Sequence, residues 1–210
     1  MEYIITLQET KGRKIYVDPQ GREGIYLYPG EIKKLGLKSG TQIEEEELER
    51  IRISYALPRA RHRAIGILAK RDKTEQELRE KLQASLTDSQ SLEETISYIQ
   101  SCGYIDDLQY ARDYLSSHRH RKSFLMIKTE LRKKGIDSQI LEEVFCEAGE
   151  QPLEDLLSQM EKYMRKFPNP DRNTWQKVYA HFAQKGYLGS LIRETINFFQ
   201  SHEEDGVEER

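Results

Sequence analysis

Two hydrophobic periods divide the chain. From Met1 to about Ile53 apolar residues come in short, strand-like runs: Glu2 to Leu7, Lys14 to Val17 and Gly24 to Tyr28. Asp18-Pro19-Gln20-Gly21 between the last two supplies a turn-starting carboxylate, a fixed φ and a residue free to take positive φ, so the pair reads as a hairpin. Pro29-Gly30 ends the third run, and Glu31 to Leu35 predicts a short helix closed by Gly36. After residue 54 the period becomes 3.6 and stays there.

Helix starts are marked by side chains. Thr74 with Glu77, and Ser91 with Glu94, have capping-box spacing; Asp106 is placed to start a helix, with Ile105 and Tyr110 as a hydrophobic staple; Ser123 and Asp137 are placed to cap two more. Leu78 and Leu82 share one face, as do Leu92, Ile96 and Ile99, then Phe124, Ile127 and Leu131, with stops at Gly103, Gly135 and Gly149. Leu153 to Phe167, Asn173 or Thr174 to Gly186, and Ser190 to Phe199 continue the pattern. Aligning Glu77-Leu78, Glu130-Leu131 and His181-Phe182 gives spacings of 53 and 51 residues, which predicts tandem three-helix units.

The expected fold is therefore mainly α, with tandem three-helix repeats in an elongated curved body and a small β-rich N-terminal module. The expected division is a β-rich module at 1–53, repeats at 54–107, 108–150 and 151–200, and a disordered acidic tail at 201–210. Caps and stripes from Thr74 onward are self-consistent, so residues 54–200 are expected to fold without the module.

Composition sharpens this picture. Charged residues make up 33% and hydrophobic residues 37% of the 210, which suits helices with large exposed faces. The net charge of -3 hides a basic middle: between Arg112 and Lys134 eight cations face two acids, a local balance of +6. Two cysteines without CxxC spacing and no apolar run near ~18 residues lead to the expectation of a reduced, cytoplasmic chain that does not enter membranes.

Particular residues carry a family resemblance. Ala64 to Thr74 through Glu77-Leu78 and Lys81-Leu82, then Gly103-Tyr104-Ile105-Asp106-Asp107 with Tyr110-Ala111, then Glu130-Leu131 with Lys134-Gly135-Ile136, resemble the ordered signatures of RecX proteins over roughly residues 60 to 148. The third repeat matches through Lys185-Gly186-Tyr187, and Ser123 stands where the family usually has glycine. The resemblance makes Leu78, Leu82, Gly103, Tyr104, Asp106, Asp107, Ala111, Leu131, Gly135 and Ile136 structural signature positions. It implies a non-enzymatic, monomeric regulator that binds RecA-type recombinase filaments, restrains filament growth, ATP hydrolysis and strand exchange in recombination, repair and the SOS response, and uses no cofactor or metal.

The candidate partner-binding residues are Arg59, Arg61, Arg63, Lys70, Arg71, Arg112, Arg119, Arg121, Lys122, Lys128, Arg132 and Lys133. The anion they meet is the filament or single-stranded or duplex DNA in or near it. The second-repeat members are expected to carry more of the binding than the acidic ends. The rival reading is a direct DNA binder with helix-turn-helix-like repeats, disfavoured by a pI near 6.0.

Other chemistry is weaker. No phosphate-binding loop, nucleophile elbow or zincin motif is present. Asp106-Asp107 suits a helix start better than a catalytic pair, since neighbouring helical residues diverge by about 100°. His118 and His120 lack further ligands; Cys102 and Cys146 are expected to be buried packing residues; Trp175, Val178, Tyr179 and Phe182 read as core; Tyr104 and Tyr187 are expected to wedge between helices.

Overall fold

The computed structural model describes residues 1–10, 13–168 and 170–205, with side chains to Ser201. The chain forms two compact units, Met1–Asp106 and Asp107–Arg210.

In the first unit β1 (Glu2–Glu9), β2 (Ile15–Pro19), β3 (Ile25–Leu27) and β4 (Gln42–Glu44) make an antiparallel sheet in the order β3-β2-β1-β4. β1 holds the centre because Ile5 to Glu9 pair with β2 while Glu2 to Ile4 pair with β4. The expected turn is present: the Arg22 amide donates to the Pro19 carbonyl, and Gly21 takes a positive φ. Helix α1 (Pro29–Leu35) ends at Gly36 in the left-handed conformation, as its sequence predicts. The sheet buries Ile5, Val17, Ile25, Leu27 and Ile43 against Leu48 and Ile51 of α2 (Glu45–Ile51).

Strand-like pairing therefore stops at Glu44, earlier than the apolar pattern suggests. The acidic run that follows becomes the first turn of α2, where carboxylates favour the exposed amides. α2 continues through a π-helical turn, Arg52–Ala56, into α3 (Leu57–Leu68). Pro58 at the start of α3 has no amide hydrogen to donate back, which accounts for the widened ladder just before it.

α4 (Glu75–Ala84) is capped by Thr74, whose hydroxyl accepts from the Glu77 amide at 3.2 Å. α5 (Ser89–Ser101) is capped by Asp88, not Ser91: the Asp88 carboxylate accepts from the Ser91 amide at 2.8 Å. Ser91 lies one turn inside and is buried, and its Oγ accepts from Arg52, which explains why the apparent capping box at Ser91 and Glu94 does not start the helix. The helices close over Ala64, Leu78, Leu82, Leu92, Ile96, Ile99 and Ile105.

The second unit holds α6 (Asp107–His118), α7 (Phe124–Lys133), α8 (Ser138–Ala148), α9 (Leu153–Met164), α10 (Arg172–Gln184) and α11 (Gly189–Asp205). α6 to α8 enclose Ala111, Leu115, Ile127, Leu131, Ile136, Leu141 and Val144. α9 to α11 enclose a separate core around Leu156, Met160, Val178, Phe182 and Ile192. Ser123 ties these two bundles together. Its buried hydroxyl caps α7 at the Met126 amide and donates to the Lys185 carbonyl at 2.6 Å, work that a glycine has no side chain to do. Gln151 adds a second tie, accepting from the Phe124 amide and donating to the Lys122 carbonyl.

Three expectations are corrected. Cys102 and Cys146 are both exposed, because each falls on the outer side of its helix end. Tyr104 is 61% exposed while Tyr187 is 5% exposed, so only Tyr187 wedges; it packs edge-on to Phe182 and meets Gln159, and Tyr104 has no such cluster to enter. α11 continues past Ser201 to Asp205, and the rest of the expected disordered tail, 206–210, lies outside the described residues.

Candidate functional site

The 3.6-residue period gives α3 two different sides. Arg59, Arg63, Gly66 and Lys70 recur every three or four residues along one; Leu57, Arg61 and Ile65 follow the same rule along the other. Each side borders its own hollow.

The cationic side lines a groove of about 870 Å³ between α3 and α4, walled by Arg63, Lys70, Arg71, Lys73 and Lys81, with Gly66 among them. No carboxylate lines it among the described residues. Lys73 pairs with Glu77 at 3.1 Å. Arg63, Lys70, Arg71 and Lys81 are exposed and form no ion pair among the described residues. Charges held this close in a concave wall raise the local concentration of anions.

Arg59, Arg63 and Ser85 also border an adjoining hollow of about 280 Å³, to which the sheet contributes Tyr26 and Tyr28. Arg59 is fixed there by a two-pronged ion pair with Glu31 and a 2.9 Å bond to the Tyr26 carbonyl, and its guanidinium lies 4.6 Å from the Tyr28 ring centre. Lys14 reaches across from the β2 side, donating from Nζ to the carbonyls of Ser85 at 2.6 Å and Leu86 at 3.0 Å. Burial, then the positive charge of Arg59, push the Lys14 ammonium below the usual lysine range, against the opposing pull of Glu31.

The other side of α3 is apolar. Ile53, Ile65 and Tyr98 are 50%, 45% and 38% exposed around a hollow of about 420 Å³, and the Arg61 guanidinium stacks 4.4 Å from the Tyr98 ring centre.

The second-unit cations divide into two groups. Arg112 binds Glu147 at 2.8 Å and Glu143 at 3.3 Å, Arg119 binds the buried Asp155 at 3.1 Å, and Lys122 binds Glu130 at 2.6 Å. Lys128 lies 5.7 Å from the centre of the Phe145 ring. Burial alone would raise the Glu130 carboxyl, but bonds from Lys122 and Tyr114 hold it below the ordinary range. Arg121, Arg132 and Lys133 are exposed and form no ion pair among the described residues. Much of the local +6 is thus cancelled by α8 and α9 carboxylates that are distant in sequence. Of the two histidines set aside as ligands, His118 stacks on Tyr114, and the exposed His120 places Nδ1 2.7 Å from Asp155.

Among the signature positions, Leu78, Leu82, Ala111, Leu131 and Ile136 are buried, Gly103 and Gly135 take positive φ, and Asp106 and Asp107 lie at the start of α6. Sequence reasoning missed Lys14, Gly66, Lys73 and Lys81 as groove residues and Arg52 as a buried cation. The spacing from Lys70 to Lys73 was available as a signal; the approach of Lys14, from a different period and module, was not.

No helix among the described residues is long and apolar enough to cross a membrane. Family models described as "RecX, second three-helix domain" and "RecX, third three-helix domain" match residues 106–144 and 149–196. The third-repeat likeness therefore extends well beyond Lys185 to Tyr187. "Regulatory protein RecX" of Clostridium beijerinckii is 25% identical over 89% of this chain and 94% of its own length. The protein of that name from Clostridioides difficile is 26% identical over 92% of this chain and 94% of its own. A solved "Crystal structure of regulatory protein RecX" shares the fold, with a TM-score of 0.64 over 94% of this chain and 100% of that one at 22% identity.

Proposed function

The chain belongs to the RecX family, and from that premise we propose that it is a non-catalytic regulator that binds RecA-type recombinase filaments and restrains their growth, ATP hydrolysis and strand exchange. One observation carries this reading: the family's second and third three-helix domains follow each other in order on this chain. The geometry supports it, because the hollows of α3 are open surfaces suited to docking. A ligand that touches adjacent filament subunits shifts their arrangement by its differential affinity for the two states and needs no covalent chemistry. The soluble, cytoplasmic, monomeric form expected from the sequence belongs to the same proposal.

Among the second-unit candidates, Arg121, Arg132 and Lys133 are exposed and left to face a partner; Arg112, Arg119 and Lys122 are held by their own carboxylates. The test adds the purified chain to recombinase filaments preassembled on single-stranded DNA and follows ATP turnover and filament length. Slower turnover and shorter filaments are expected. The triple reversal Arg121→Glu, Arg132→Glu, Lys133→Glu is expected to weaken filament binding more than about tenfold at low salt. Unchanged turnover with no association ends the proposal. Binding that vanishes without DNA favours the direct DNA binder.

A further inference from the structure

We propose that the groove between α3 and α4, together with the tyrosine-lined hollow beside it, is a binding site for single-stranded nucleic acid that the first unit forms by itself. This goes beyond the regulator reading and does not depend on it.

Four features of the groove point the same way. Its open wall carries Arg63, Lys70, Arg71 and Lys81 without a lining carboxylate, the charge pattern that a phosphodiester backbone complements. The same groove runs past Arg59 and Arg63 into a hollow bordered by Tyr26, Tyr28 and Asp88, whose buried carboxylate is engaged in capping α5. Cations followed by an exposed aromatic ring, here Tyr28 with the partly exposed Tyr26 beside it, form the pairing that holds phosphates and stacks bases without reading sequence. Tyr28 is 40% exposed with the Arg59 guanidinium against it, so a face remains open while the ring is held in place.

The third feature is Gly66. Glycine inside a helix costs about 0.5–1 kcal/mol relative to alanine, yet a Cβ built here meets nothing within 4 Å. Packing does not require the glycine. A helix backbone left bare on the groove wall is what close approach by a ligand strand requires. The fourth feature is shape: a concave groove encloses a strand, whereas the convex surface of a duplex is read by an element that protrudes into it. Burial first, and then the nearby charges of Arg59 and Arg63, depress the Lys14 ammonium, and an anion entering the hollow offsets the second of these causes.

The experiment uses the full chain without recombinase and a short fluorescently labelled oligothymidylate, titrated by anisotropy at several salt concentrations. Duplex DNA of equal length and polyglutamate serve as competitors. Binding of the strand is expected at low salt. The reversal Arg63→Glu, Arg71→Glu, Lys81→Glu is expected to weaken it more than tenfold and to flatten the salt dependence by about 2 in the log–log slope, at ~0.7 for each phosphate no longer neutralised. Tyr28→Ala is expected to weaken binding about fivefold or more without changing the slope.

Gly66→Leu separates binding from folding, since it adds helix propensity and its Cβ meets nothing within 4 Å; it is expected to keep the unfolding midpoint and lose affinity. Lys162→Glu with Lys177→Glu, exposed on the second unit and outside every candidate binding surface, is expected to leave strand binding unchanged. Absence of binding at low salt, wild-type affinity in the groove variants, or tighter binding of duplex or polyglutamate overturns the proposal. The polyglutamate outcome would assign the groove to an acidic protein surface.

Discussion

Two residues hold conformations or charges that their types do not favour. Leu86 has φ +57, the left-handed region that costs a side chain bearing a Cβ about 1–2 kcal/mol. Gly135 occupies the matching turn of the next repeat without that cost. Leu86 is held in place by Lys14, which takes its carbonyl. Leu86→Gly is expected to stabilise the chain by about 0.5–1 kcal/mol, since relieved strain exceeds the entropy that glycine adds to the unfolded state. A raised denaturant midpoint checks this; a lowered one would show that the side chain's packing outweighs the strain. Arg52 is 3% exposed and holds Glu49 and Glu94, both at 2.6 Å, together with Ser91. Arg52→Ala is expected to cost about 2 kcal/mol, the scale of buried hydrogen bonds to charged groups. Bonding to Arg52 holds the Glu49 carboxyl below its usual value. Its contribution is present above the unfolded carboxylate range and is lost as pH falls through the lower, folded value. Wild-type stability should thus fall in acid, and Glu49→Gln should flatten that part of the profile; equal slopes for the two proteins would remove Glu49 from the account.

At the scale of elements, most helices were legible because each carries its own start, stripe and stop. Thr74, Ser123 and Asp137 cap where their spacing places them, and Leu78, Leu82, Ile127 and Leu131 are buried. What failed was register. The caps pair Thr74 with Ser123 and Asp88 with Asp137, a spacing of 49 residues (74 to 123, 88 to 137), and not the 53 read from Glu77 and Glu130. A slip of one helical turn leaves every apolar residue on the same face, so periodicity cannot detect it. The Ser91 misreading has the same origin, since Asp88 is one turn upstream. Asp88→Ala is therefore expected to destabilise the first unit by about 1 kcal/mol through removal of the cap. A cost from Ser91→Ala should depend on Arg52, and a double-mutant cycle with Arg52→Ala tests this. Additive effects would mean that the Ser91 hydroxyl acts independently of the arginine. The groove was half legible: its α3 cations follow a helical period, while Lys14, Tyr26 and Tyr28 arrive from the sheet through tertiary packing that no local pattern encodes.

At the scale of the molecule, the question is which residues fold together. The sequence sets the end of the β-rich module at 53 and expects residues 54–200 to stand alone, but side-chain bridges bind the sheet and α2 to the first repeat. Arg59 grips Glu31, Lys14 takes the Ser85 and Leu86 carbonyls, Arg52 bridges to Glu94, and Glu23 accepts from the Ser89 amide at 2.9 Å. Cutting at residue 54 removes every partner that lies on the N-terminal side of these bridges and uncovers Ala56 and Ala60, which border the hollow shared with Tyr26 and Tyr28. The second unit depends on none of them: its two cores and the ties through Ser123, Gln151 and Asp155 all lie between residues 107 and 201. A fragment of residues 107–205 is thus expected to unfold cooperatively, and 1–106 likewise, as units with their own buried cores. In a fragment of residues 54–205, hydrogen exchange is expected to show protected amides from α6 onward and rapid exchange in α4 and α5, because the bridges from Lys14, Glu23 and Arg52 that hold these helices are gone and the repeat opens locally. Full protection of α4 and α5 in that fragment would show instead that the first three-helix repeat carries its own stability and that the sheet is an accessory to it.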